Sequence, residues 1–314
     1  MKSLQKAKQA MQEVILGNEE VIDLMWIALL AEGHVLFESV PGTGKTKLAK
    51  SFAKVIEGDF SRIQCTPDVL PSDITGIRFY NPKTEDFELR VGPVVTNVLL
   101  ADEINRATPK TQSSLLEVME ERQTTIDSET IEVDRPFIVI ATQNPVESSY
   151  GTFPLPEAQL DRFLFKIKID YPTMEEDLHL LATYRNADPF DTLKPQVTTE
   201  EVVKWQNTLK DIEISDPVYT YIVQLIHKSR EHPDIAIGIS PRGMLACMRA
   251  AQARALLNDR SYVTPEDVKQ LIPYVFAHRL ILTMEGEMRK TVDQVVEEIM
   301  RDCDVPVEFE ATKQ

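Results

Sequence analysis

Three short stretches of this 314-residue chain hold residue types that could act together on a phosphate. The first, "SVPGTGKT" (Ser39 to Thr46), fits the pattern GxxxxGK[ST] except at its opening position, where Ser39 replaces glycine. In such a loop, close backbone approach at Gly42 and Gly44 lets successive N–H groups face the phosphates, and the following helix adds its positive end. Lys45 would reach the β and γ phosphates, and the Thr46 hydroxyl would hold Mg²⁺. Ser39 lies on the strand side of the loop, away from those amides. It costs little at an ordinary backbone angle, or roughly 1 kcal/mol if φ must be positive. The second stretch, "VLLADEINRA", ends an apolar run in Asp102 and Glu103, with Asp102 suited to Mg²⁺ and Glu103 to polarising a water for attack on the γ-phosphate. The third, "VIATQNP", places Asn144 after another apolar run, where an amide can orient that water or touch the phosphate; an ordinary turn asparagine before proline is the competing reading.

These residues need elements to hold them. "HVLFES" reads as a buried strand running into the glycine loop, and "TKLAKSFAKVI" has helical period, so strand, loop and helix follow in the required order. "SRIQC", "NVLLAD", "PFIVIATQ" and "FLFKIKI" are further strand candidates, alternating with helical stretches. That alternation predicts a mainly parallel α/β sheet covered on both faces. Residues 77–93 and 122–136 instead alternate apolar and polar positions around turn-rich centres, as hairpins do. From about Tyr171 strand signals stop, and helical ones take over at Glu200 to Ile212, Pro217 to Arg230, Pro241 to Leu257 and Thr264 to Phe276. The expected organisation is a 1–170 core, a 171–285 helical domain and a 286–314 helix and tail. Two arginines stand at element ends. Arg162 directly precedes the last strand, and Arg242 falls in the first turn of a helix opened by Ser240 as N-cap and Pro241 at N1. A cation there opposes the helix dipole, so an anionic partner such as the γ-phosphate is expected for Arg242.

Composition narrows the function classes. A formal charge of -16, from 34 basic and 50 acidic residues, repels nucleic-acid backbones, and no basic stripe compensates, which favours protein partners. Cys65, Cys247 and Cys303 are far apart and form no CxxC pair, arguing against a zinc site or a disulfide framework. The longest apolar run, Leu24 to Ala31, is too short to span a bilayer, and no signal peptide opens the chain, so a cytoplasmic location is expected.

With these residues together, the chain resembles an AAA+ ATPase, and closely the MoxR family. The likeness is carried by "ILGNEEVIDL", "HVLFESVPGTGKT", "TPDVLPSDITG", "LLADEINRATPKTQSSLLEVMEERQ", "FIVIATQNP", "GTFPLPEAQLDRF", "SPRGMLACMRAAQARALL" and "YVTPEDVK". It implies an AAA+ P-loop core with a five-stranded sheet, followed by a small helical lid. It also implies Walker A at Gly42, Thr43, Gly44, Lys45 and Thr46, with Lys47 also expected to bind the nucleotide, Walker B at Asp102 and Glu103, sensor 1 at Asn144, an arginine finger at Arg162 and sensor 2 at Arg242. Ile15 in "VILG" is implied to lie by the adenine, and the hairpins to be the helix-2 and pre-sensor-1 inserts. Ser39 and Asn18 depart from the family's usual glycine and glutamine. Arg106 is a second candidate for contact across a subunit boundary.

The resemblance further implies ATP and Mg²⁺ as cofactors and a homo-oligomeric ring, six-membered as in similar AAA+ proteins. It implies chaperone-like work on protein complexes, often beside a partner carrying a von Willebrand factor A domain. A nucleic-acid motor or loader of a related branch is the alternative, disfavoured by the acidic hairpin sequences "NPKTEDFE" and "IDSETIEVD". A nucleotide-operated switch is a third reading, against which the intact Glu103 speaks.

Overall fold

The computed structural model describes residues 2–40, 42–144, 151–185 and 188–306. Five strands make the central sheet: β1 (Val35–Ser39), β2 (Phe60–Gln64), β5 (Val98–Asp102), β8 (Ile138–Gln143) and β9 (Phe165–Ile169), in the order β2-β5-β8-β1-β9. Parallel ladders join β2 to β5, β5 to β8 and β8 to β1, with Phe60 opposite Val98, Val98 opposite Ile138 and Val35 opposite Ile140. Strands buried on both faces read as continuous apolar runs, which is why "VLLA" and "IVIAT" are fully buried here. One face packs Leu36, Leu99 and Val139 against Leu115, Leu116 and Met119 of the helix Pro109–Glu121. On the helix Glu19–Leu30 every residue from Leu24 to Leu30 is buried, and Trp26 meets Phe52 edge-on at 5.0 Å. A helix covered all round needs apolar residues on every side, which the run from Leu24 to Leu30 supplies.

Both hairpins form where expected. β3 (Gly76–Asn81) pairs antiparallel with β4 (Asp86–Val91), and β6 (Gln123–Ile126) with β7 (Glu129–Glu132). The two residues joining β6 to β7, Asp127 and Ser128, both have positive φ, as a tight primed turn demands.

The amino ends of the sheet strands are tied by buried polar contacts. His34, just ahead of β1, accepts at Nδ1 from the Val139 amide (3.0 Å), so its protonated Nε2 donates to the Met119 carbonyl (2.9 Å). Burial drives its pKa down to about 4. Asn97, ahead of β5, accepts from the Asp59 amide and donates to the Pro136 carbonyl, each at 3.0 Å. Glu32 pairs with both Arg122 and Arg135.

Two compact units divide the chain: residues up to Phe163 with Ile167–Gln206, and Leu164–Lys166 with the residues from Asn207 onward. The boundary expected near Tyr171 therefore moves to 206/207. Segment 171–206 stays with the sheet unit, where the Gln196 and Val197 amides both donate to Val55 O and Gln206 Nε2 donates to Leu29 O at 2.7 Å. The end of strand signals marks the end of the sheet, while helices and loops go on packing against its layers. In the second unit, helices Asp216–Glu231, Pro241–Leu257 and Pro265–Phe276 are joined by a short ribbon, β10 (Ile235–Ile237) with β11 (Ile281–Leu282). The helix Val292–Arg301 buries Val295, Val296 and Ile299 in the same unit, so it is part of this bundle and not a separate tail. Among the described residues, no helix is long and apolar enough to cross a membrane.

Candidate nucleotide site

At the carboxyl ends of β1, β5 and β8 lies an open cleft of about 470 Å³, lined by Gly42, Thr43, Gly44, Lys45, Thr46, Lys47, Arg62, Gln64, Asp102, Glu103, Thr142 and Asn144. Ligands of open parallel sheets collect at such ends, next to the strand from which neighbouring connections diverge. Here β1 is that strand, since the chain leaves it for β2 beyond β8 and β5, while β9 flanks its other side.

Ser39 is the last residue of β1, buried and outside the left-handed region, so the missing glycine costs no backbone strain. Gly42 and Gly44 have φ of 88° and 79°, a conformation that L side chains rarely adopt. Gly44 caps the helix Lys45–Val55 with no side-chain hydrogen bond, so the first-turn amides keep their capacity for an anion. Lys45 Nζ reaches back to the Val40 carbonyl at 3.3 Å. Burial lowers its pKa, against the opposing pull of the Asp102 and Glu103 charges. Lys47 also lines the cleft, but its ammonium pairs with Asp188 and lies 4.1 Å from the centre of the Tyr184 ring. Burial alone would lower its pKa; the Asp188 and Tyr184 hydrogen bonds together raise it.

The two acids are held by the neighbouring strands. The buried Thr142 hydroxyl donates to Asp102 Oδ1 at 2.7 Å and accepts from the Glu103 amide at 2.8 Å. Arg62 Nη2 donates to Asp102 Oδ2 (2.7 Å) and to Gln64 Oε1 (2.7 Å), and Gln64 Nε2 donates to Glu103 Oε2 (3.0 Å). Glu103 itself is left-handed, with φ 55°, which for a residue other than glycine costs on the order of 1–2 kcal/mol. Arg106 Nη1 lies 3.2 Å from Glu103 Oε2. Asn144 follows β8 and is buried at the cleft wall. Cys65, at the end of β2, is pushed up to about 12 by burial and then by the two acids, so it stays a thiol at neutral pH.

The structure thus gathers Gly42 to Lys47, Asp102, Glu103 and Asn144 at one place. Ile15 is not among the residues lining this cleft. Arg162 borders a different cavity of about 340 Å³, where it donates to Leu116 O (2.8 Å) and pairs with Glu120 at 3.1 Å. Arg242 belongs to the second unit, in the helix opened by Ser240, whose Oγ accepts from the Gly243 amide at 3.0 Å. Sequence reasoning missed Arg62, Gln64 and Thr142. Their only local signal is the two-residue alternation that puts Arg62 and Gln64 on one face of β2; that Gln64 stands opposite Asp102 is decided by pairing across the sheet.

Comparison with known proteins agrees with this geometry. Residues 34–165 match the ATPase family associated with various cellular activities (AAA), and residues 227–299 match the AAA lid domain. Chaperone MoxR1 of Mycobacterium tuberculosis is 42% identical over 293 residues, covering 90% of this chain and 77% of that protein. The uncharacterized protein YeaC of Bacillus subtilis is 47% identical over 99% of this chain and 97% of its own length. A crystal structure of a candidate ATPase from Cytophaga hutchinsonii superposes with a TM-score of 0.91 at 37% identity, covering 98% of this chain and 96% of that one. A sheet of this strand order, a glycine loop after β1, paired acids after β5 and these full-length likenesses lead to one assignment: the chain belongs to the MoxR family of AAA+ ATPases.

Proposed function

We propose that this chain hydrolyses ATP with Mg²⁺ at the boundaries between protomers of a six-membered ring, and that the work drives chaperone-like remodelling or maturation of protein complexes in the cytoplasm. The observation that carries the reading is the convergence of an uncapped helix start, Lys45, the Asp102–Glu103 pair and Asn144 on one cleft. The amides of Gly42 to Thr46 and the Lys45 ammonium would bind the phosphates, with Thr43 and Lys47 beside them and Ile15 near the adenine. Thr46 and Asp102 offer hydroxyl and carboxylate oxygens, and no histidine or cysteine lines the cleft, a donor set that suits a hard cation such as Mg²⁺. When bound, that ion neutralises charge on the β and γ oxygens.

Glu103 would accept the proton of the attacking water while Asn144 orients it. Arg162 lies outside its own chain's cleft, which supports a role on the nucleotide of an adjoining protomer, where it would offset charge developing in the transition state. Arg242, carried by the lid unit, would report loss of the γ-phosphate to that unit. The relative named as a chaperone supports protein clients, with a von Willebrand factor A domain protein as the expected partner. So does the β3–β4 hairpin, which exposes Phe79, Tyr80 and Phe87 as an apolar patch of the kind that meets protein surfaces.

Glu103→Gln tests the chemistry. It should keep ATP binding, followed by calorimetry, and lose steady-state phosphate release; unchanged release would remove Glu103 from the mechanism. Arg162→Ala tests the ring. Rings mixed from Arg162→Ala and Glu103→Gln chains should regain part of the lost turnover, because some interfaces pair an intact finger with an intact base, and a verified mixed ring with no recovery would refute action across the boundary.

A further inference from the structure

Each Asp102 oxygen already accepts a hydrogen bond. Oδ1 takes the Thr142 hydroxyl and Oδ2 takes the Arg62 guanidinium, both at 2.7 Å. Arg62 reaches that oxygen from the middle of β2, through a side chain 44% exposed on the cleft wall, whereas the Asp102 side chain is only 13% exposed. Packing does not demand an arginine there. Arg62 makes its two cleft contacts with Asp102 and Gln64, while Ile63 beside it carries the strand's core contact. Around the cleft four cationic side chains, Lys45, Lys47, Arg62 and Arg106, face three acids, Asp102, Glu103 and the Asp188 that pairs with Lys47. A divalent cation approaching Asp102 alone therefore meets a guanidinium on the same oxygen and a cleft with no net negative charge to attract it.

We propose that Arg62 is a positioning residue that makes divalent-cation binding at Asp102 depend on the nucleotide. The triphosphate supplies the anionic oxygens that the cleft lacks. It also offers the guanidinium a second acceptor, so Asp102 Oδ2 becomes available to the cation as the nucleotide enters. Cation and nucleotide then bind with positive coupling, and by linkage each tightens the other by the same factor. This rests on the reading of the cleft as an Mg²⁺-nucleotide site, yet its test is separable from that reading.

The experiment measures Mn²⁺ binding to the full chain by electron paramagnetic resonance, with and without a non-hydrolysable ATP analogue, for the unaltered protein, R62Q, R62K and D102N. For R62Q without nucleotide, Mn²⁺ should bind about two- to fivefold more tightly, the range expected for losing a half-exposed ion pair that competes for the same oxygen. With the analogue present the gain should shrink, so the coupling factor falls. R62K keeps the charge without the fork and should stay near the unaltered protein, and D102N should remove the Mn²⁺ signal that R62Q strengthens. An R62Q midpoint that is unchanged or weaker without nucleotide overturns the proposal. Should R62Q fail to fold, as judged by circular dichroism, a half-competing Arg62→His variant takes its place under the same criterion. Failure of the unaltered protein to bind the analogue at all would instead count against the nucleotide site, leaving the nucleotide-free Mn²⁺ comparison to judge Arg62.

Discussion

The two ends of the central sheet are built from the same strands, yet they use polar residues in opposite ways. At the amino end, His34 and Asn97 are each satisfied by a pair of backbone partners, and Glu32 is shared between two arginines. At the carboxyl end, a helix begins without a side-chain cap and Lys45 is partly desolvated. Left-handed backbone does not separate the ends, since Glu32 and Arg122 have positive φ at one and Glu103 at the other. What separates them is what stays open: the amino end ties its polar groups to backbone partners, whereas at the carboxyl end side chains bond one another beside first-turn amides of the helix Lys45–Val55 that no side chain caps. Loss of a closed contact should cost stability, and loss of an open one should cost function.

That contrast can be broken from either side. Glu103→Gln should reduce turnover by about 10²–10⁴-fold, the usual contribution of a positioned general base, while the melting temperature stays nearly constant. A large fall in melting temperature would mean that this end is structural too. His34→Ala leaves the Met119 carbonyl and the Val139 amide without their partner, and should cost about 2–4 kcal/mol in chemical denaturation with turnover per folded molecule unchanged. The same residue predicts a pH dependence. Its folded pKa, about 4, is depressed from 6.5, so the neutral ring favours folding above pH 6.5 and that contribution is lost as pH falls from 6.5 towards 4. The full loss is on the order of 3 kcal/mol at 1.36 kcal/mol per unit, and His34→Gln should flatten that limb of the stability curve. Smallest of all, Ser39→Gly should change nucleotide affinity by less than about tenfold, because Ser39 sits in ordinary strand geometry; a larger change in a binding titration would give the strand-side residue a direct role.

Much of the carboxyl end was legible because its signals are local. A glycine loop between a strand and a helix, or two acids after an apolar strand, are set by neighbours in sequence, and Gly42, Gly44, Asp102 and Glu103 lie where that reading puts them. Both hairpins were readable for the same reason, through alternation and turn chemistry. The partners of the acids were not. Thr142 in "VIATQ" looks like one more buried strand residue, and Arg62 in "SRIQC" like a surface arginine, until β2 and β8 flank β5. The unit boundary was misplaced because a segment can pack on the helices that cover a sheet without contributing a strand, as Gln196 does on Val55 and Gln206 on Leu29.

The chain by itself therefore determined the phosphate loop, the paired acids, the hairpins and the family, since each depends on residues within a few positions of one another. Only the tertiary structure decided that Arg62 and Thr142 divide the Asp102 carboxylate between them, that Arg162 borders a separate cavity, and that 171–206 packs with the sheet. Those facts rest on strand order and on pairings between residues some 40 positions apart, where hydrogen-bond geometry and burial, not local propensity, select the partner.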